Sequence, residues 1–209
     1  MEKAGDKRMK RKLYALCAVA ALLLLSACGA QKKPAAMELM RAELSKEEQD
    51  LFTLVSDGHT ALFDFALDEP AAQVVVQAYR LSDDGEWQPT GGGGIAFEEK
   101  AGRLVLSFDR IAEGFRIAIQ GQQGTVGSKN EAPTHEKGPE QAIATGFASG
   151  PVTKLVWEEE IPLALEIAAT GDISISCSTE LYFRPGDLTG QGYDEVYAVT
   201  LMFSKEPLT

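Results

Sequence analysis

Ala61-Leu62-Phe63-Asp64-Phe65-Ala66-Leu67 alternates with a period of two: Ala61, Phe63, Phe65 and Leu67 fall on one side of an extended chain, Leu62, Asp64 and Ala66 on the other. That period belongs to a β-strand with one buried face, because successive side chains of a strand point to opposite sides of its sheet. The signature recurs towards the C-terminus. Val74 to Leu81 is a continuous β-branched and aromatic run, and Ser82-Asp83-Asp84-Gly85 turns it into a second strand around Trp87. Leu104, Leu106 and Phe108 alternate with Arg103, Val105 and Ser107, and Phe115, Ile117 and Ile119 with Arg116, Ala118 and Gln120. Ile161, Leu163, Leu165 and Ile167 alternate with Pro162, Ala164 and Glu166. An alternating run from Ile173 to Phe183 follows, and Tyr197, Val199, Leu201 and Phe203 close the chain. Many short strands divided by turn signals, without long intervening helices, predict an antiparallel β-sandwich, jelly-roll or immunoglobulin-like.

Upstream, Met37 to Leu54 reads as the one N-terminal helix. Ser45 with Glu48 has the spacing of a capping box, and Leu51, Leu54 and Val55 recur at helical spacing. Residues 121–142 hold Gly, Gln, Ser, Lys, Glu and Pro with almost nothing apolar, which predicts a mobile surface loop. Residues 37–209 are expected to form a single domain, since neither side of that loop carries enough apolar sequence for a core of its own.

The N-terminus has a different character. Six cations (Lys3, Lys7, Arg8, Lys10, Arg11, Lys12) precede an apolar run from Leu13 to Leu25, followed by Ser26, Ala27 and Cys28. These are the three parts of a secretory signal peptide. The cysteine directly after small residues makes Leu25-Ser26-Ala27-Cys28 resemble the lipobox of bacterial lipoproteins. The resemblance implies cleavage between Ala27 and Cys28, a diacylglyceryl group on the Cys28 sulfur, and a protein held on the outer face of the cell membrane. Two acyl chains suffice for stable anchoring. Residues 28–36 then read as the lipidated cysteine and a flexible tether.

Loss of residues 1–27 leaves 14 basic and 29 acidic residues, a formal charge of −15. Such a domain is repelled by phosphate backbones, so nucleic acid is not an expected partner. Cys177 is the one thiol remaining beyond Cys28, which precludes an internal disulfide framework. Its alternation with Ile173 and Ile175 against Ser174, Ser176 and Ser178 predicts a small buried hydrophobe rather than a nucleophile.

Motifs that carry chemistry are few. In the segment Asp187 to Glu195, Asp187, Thr189, Gln191, the Tyr193 carbonyl and Glu195 fall at positions 1, 3, 5, 7 and 9 of a calcium loop, with Gly192 at position 6. The segment resembles the loops of integrin-type FG-GAP repeats but lacks carboxylates at positions 3 and 5, so a glycine-rich turn into the last strand is expected, with no metal. Gly91-Gly92-Gly93-Gly94 has no Lys-Ser or Lys-Thr after it and reads as a flexible inter-strand turn rather than a phosphate loop. His59 lies in a turn and His135 in the polar loop, neither at a metal-ligand spacing. Glu158, Glu159 and Glu160 are consecutive and so do not all converge on one point. Trp87, Trp157, Tyr79, Tyr182 and Tyr193 could stack on sugar or pack internally. No motif calls for a cofactor. The expectation is a non-enzymatic surface lipoprotein that binds an unidentified protein or glycan. The alternatives are a carbohydrate-binding or weakly calcium-binding extracellular domain, and a carboxylate-based extracytoplasmic hydrolase.

Overall fold

The alternation of residues 61–67 becomes strand β2 (His59–Ala66), whose Ala61, Phe63 and Phe65 are buried while the intervening residues are only half-buried. A computed structural model of the chain describes residues 33–55, 58–131, 142–148, 152–171 and 173–207. Ala27, Cys28, the expected signal peptide and His135 lie outside them. Lys33–Thr209 is one compact unit. Among the described residues, no helix is long and apolar enough to cross a membrane.

The other strands are β1 (Glu38–Arg41), β3 (Gln73–Leu81), β4 (Trp87–Ala96), β5 (Ala101–Phe108), β6 (Gly114–Gln120), β7 (Thr125–Glu131), β8 (Ala142–Phe147), β9 (Thr153–Lys154), β10 (Ile161–Ala169) and β11 (Glu195–Ser204). They form a six-stranded sheet of order β7-β6-β5-β2-β1-β9 and a five-stranded sheet of order β4-β3-β11-β10-β8, every pairing antiparallel. The protein is a β-sandwich with one α-helix among the described residues, α1 (Lys46–Val55). Register puts apolar residues opposite one another on the inner faces. Phe63 pairs with Leu104 and Leu104 with Ile119 in one sheet, Val76 with Leu201 in the other. The sheets meet where the Phe65 and Phe203 rings lie 4.8 Å apart, an aromatic contact worth about 0.5–1.5 kcal/mol beyond its buried area.

The centre of the five-stranded sheet, β10 and β11, is covered on both faces, and every residue of β10 is buried. A register shift between Pro162 and Ala164 marks a bulge. It places one extra residue in the strand and reverses which parity faces inward. Ile161, Leu163 and Ala164 therefore join the inter-sheet core, whereas Leu165 and Ile167 face outward with Val196 and Ala198 into a second core. The expected single face for Ile161, Leu163, Leu165 and Ile167 is thus split. That second core is roofed by chain following β10: Ile175, Cys177, Leu181, Tyr182, Leu188 and Tyr193 pack on it. The expected strand from Ile173 to Phe183 is this roof. Ile173, Ile175 and Cys177 do turn inward, but residues 173–178 form no ladder, residues 179–183 are a 3-10 helix, and Phe183 points out.

Three further expectations change. The predicted helix from Met37 is instead a strand followed by a shorter helix. β1 fills the gap between β2 and β9 with Leu39 and Met40 both buried, a pattern without periodicity. Helix α1 begins where the capping box predicts: Ser45 N–H donates to Glu48 Oε2 (2.8 Å), and Glu48 N–H to Ser45 Oγ (3.2 Å). Its Leu51 is 64% exposed rather than core, and the side chains of Leu54 and Val55 lie outside the described residues. The polar segment from 121 contains β7, ordered by backbone pairing to β6 from Gln120↔Thr125 to Gly114↔Glu131 rather than by apolar burial. Gly91–Gly94, expected as a turn, lie within β4 and pair with residues 75–78 of β3. Gly92 sits at φ +149°, and a Cβ there would come within 2.3 Å of the Val76 carbonyl oxygen, so glycine permits this close approach.

Candidate functional site

Glu160 stands immediately before β10, and its carboxylate is held from two directions. Tyr79, on the outer face of β3, donates its hydroxyl to Oε1 at 2.6 Å, and Tyr182 donates to Oε2 at 2.8 Å. Tyr182 lies on the 3-10 helix Thr179–Phe183, whose start is capped by Ser178 accepting from the Glu180 N–H. Trp87, opening β4, stacks on the Tyr182 ring at 5.1 Å and donates its indole N–H to the Tyr182 carbonyl at 3.0 Å. The Tyr79 ring is 6.1 Å from that of Tyr182. Burial, reinforced by the bonded carboxylate, pushes the Tyr79 phenol up to about 12 and that of Tyr182 further in the same direction. Both phenols thus remain donors, and together they hold the Glu160 carboxylate in one orientation.

Glu160 also lines a cleft of about 390 Å³, within the usual size range of ligand sites. One wall is β9, the edge strand of the six-stranded sheet; the other is the chain from Ser178 to Phe183. Glu159, Glu160 and Glu180 line it, with Lys154 the one cation of the lining among the described residues, and Phe183 and Val156 form part of its surface. Phe183 is 66% and Val156 48% exposed. The cleft can hold a cation or accept hydrogen bonds beside an apolar contact. Among the described residues, its lining includes no histidine or cysteine.

The aromatic residues singled out from sequence divide. Tyr79, Trp87 and Tyr182 come together, and Tyr193 packs in the same outer core. Trp157 stands apart, donating to Asp68 Oδ1 at 3.1 Å with the Lys205 ammonium 4.8 Å from its ring centre. Of the three consecutive glutamates, Glu159 and Glu160 share the cleft. Glu158, at φ +62°, turns away and accepts the Lys205 N–H. Phe183 as an exposed ring was not foreseen, because its alternation with Leu181 implied an inward face.

Three of the calcium-loop side chains, Asp187, Thr189 and Glu195, have other partners. Asp187 ends a 3-10 helix and pairs with Arg184 at 3.1 Å. Thr189 donates to the Gly186 carbonyl, Gln191 is exposed, Tyr193 is half-buried, and Glu195 opens β11 against Arg110 at 3.3 Å. Gly192 does take the left-handed conformation of a sharp turn. Among the described residues, no group of three or more His, Cys, Asp or Glu is arranged to hold a metal ion. Cys177 is half-buried, donates its thiol to the Leu165 carbonyl, and is pushed up to about 11, chiefly by burial. His59 is exposed beside the Phe108 ring.

Besides the exposed Phe183, two further features escaped sequence reasoning. Glu166, read as the polar side of its strand, is fully buried; its carboxylate accepts from Arg110 Nε at 3.0 Å and from the Ile111 N–H at 3.1 Å. The second is a larger groove of about 920 Å³ between α1 and the outer face of β5–β7, where Arg116 and Lys129 are offset by Asp109 and Glu113. No family model, no curated protein and no solved structure matches this chain.

Proposed function

We propose that the chain is a lipid-tethered extracytoplasmic protein without catalytic activity, whose folded domain binds a ligand in the cleft between β9 and the Ser178–Phe183 segment. The observation carrying the binding role is the pair Phe183 and Val156, large apolar side chains left exposed in one concavity. The lipobox resemblance at Cys28 supports the anchor. A protein ligand is favoured over a glycan because Trp87 and Tyr182 spend their ring faces on each other, leaving Phe183 as the exposed ring of the cluster. A hydrolase is the second reading, favoured by the shared placement of Glu159, Glu160 and Glu180.

The test uses the full chain in a bacterial host fed a fatty-acid analogue. Label is expected on the unaltered chain and absent from Cys28→Ser; equal label on both overturns the anchor. The purified protein is also offered chromogenic glycosides and esters. No turnover is expected, and turnover abolished by Glu160→Gln would move the protein into the hydrolase class.

A further inference from the structure

We propose that the cleft takes a basic amphipathic peptide, in which a Lys or Arg side chain lies on the glutamates while a neighbouring apolar side chain covers Phe183 and Val156; this rests on the binding role given above. The charge of the cleft is one-sided. Among the described residues, no Lys or Arg pairs with Glu159, Glu160 or Glu180, and Lys154 is already bound to Glu38. Glu160 is the most developed of the three. Each oxygen accepts one phenol and keeps a second acceptor position free, so a guanidinium or ammonium can bind without displacing either tyrosine. The two phenol bonds fix the carboxylate, which lowers the ordering cost of binding.

The apolar surface lies beside that charge. Phe183 and Val156 share the concavity with the glutamates, so one ligand must satisfy both, and a bare inorganic cation would leave Phe183 uncovered. A polypeptide fits because one wall is β9, an edge strand, whose outward backbone groups can pair with an extended chain. A formal charge of −11 over the whole chain also draws cationic partners and repels anionic ones. The larger groove beside α1 lacks this bias, since its acidic and basic residues balance.

The experiment measures fluorescence anisotropy of short labelled peptides alternating Lys, Glu or Ser with Leu, added to the full chain in a zwitterionic detergent. The Lys-Leu peptide is expected to bind. Its affinity should fall about tenfold or more in Phe183→Ala, in the double variant Glu159→Gln/Glu180→Gln, and on raising salt from about 50 to about 500 mM. Leu51→Ala, equally exposed but remote from the cleft, should leave affinity unchanged. Thermal melts of each variant distinguish lost binding from lost folding, and all altered side chains are solvent-accessible. Binding of the Glu-Leu or Ser-Leu peptide with equal affinity and the same Phe183 dependence overturns the basic-ligand proposal while leaving the binding role intact. Failure of the Lys-Leu peptide to bind, or binding indifferent to Phe183 and the glutamates, overturns the proposal outright.

Discussion

Replacing Arg110 by methionine strands a charge inside the sandwich. Glu166 is 0% exposed, and its carboxylate has two donors, Arg110 Nε at 3.0 Å and the Ile111 N–H at 3.1 Å. Methionine keeps much of the side-chain volume but removes one donor and the only cation bonded to Glu166 among the described residues. Breaking one side of a buried pair costs about 3–5 kcal/mol, because the carboxylate's desolvation is no longer offset. A domain of this size is stable by roughly 5–15 kcal/mol in total, so the variant loses a large part of its margin, and its Tm should fall by roughly 6–20 °C. Glu166→Gln should cost less, about 1–3 kcal/mol. It leaves an amide oxygen for the Ile111 N–H, and Arg110, with 20% of its side chain exposed, keeps Glu195 at 3.3 Å. Arg110→Met with Glu166→Gln removes both charges, keeps an amide oxygen for the Ile111 N–H, and should return to within about 1–3 kcal/mol of the original stability. Urea unfolding of the four proteins provides the comparison. A loss below about 1 kcal/mol for Arg110→Met, or a double variant less stable than that single one, would refute the view that desolvation dominates this pair.

The tyrosines that brace Glu160 should titrate late in a phenolate absorbance experiment. Tyr79 moves from 10.0 to about 12 on folding, so the stability it contributes is complete below about pH 10 and is lost as pH rises through about 12. Glu160→Gln should bring that titration part-way back, and tyrosines ionising together near pH 10 in the folded protein would contradict the arrangement. Cys177, pushed up to about 11, should react slowly with a thiol reagent near about pH 8 and quickly in urea. Gly146→Ala should accelerate that reaction, because its new Cβ would lie 2.7 Å from the Cys177 carbonyl oxygen and push the roof segment away; equal rates with and without urea would show that the thiol is open. Millimolar calcium should raise Tm by less than about one degree, since a bound ion must draw Asp187 from Arg184 and Glu195 from Arg110. A rise of several degrees, lost in Asp187→Ala, would bring the Asp187–Glu195 segment into the function.

The strands whose inner faces form the sandwich core are legible in the bare chain, because alternation is a local property. Phe63 and Phe65, Leu104 and Leu106, Ile117 and Ile119, and Val199 and Leu201 announce an inward face without knowledge of their partners, and all are buried. The Ser45–Glu48 cap was equally legible, since both of its bonds span three residues. Tertiary structure alone decided whatever depends on a distant partner. β1 has no period because both its central side chains are buried, and β7 has no apolar signal because backbone bonds to β6 order it. Residues 173–178 alternate as a strand does, yet roof a sheet instead of joining one, a choice that periodicity does not encode. One bulge at Leu163 exchanged the faces of the rest of β10 and carried Glu166 inside, where the residue that neutralises it lies 56 positions away. The candidate site has the same origin. Its aromatic and acidic residues could be named one by one from sequence, but Tyr79 reaches Glu160 across 81 positions and Tyr182 across 22, and only packing of the roof on the outer sheet face brings both phenols to one carboxylate.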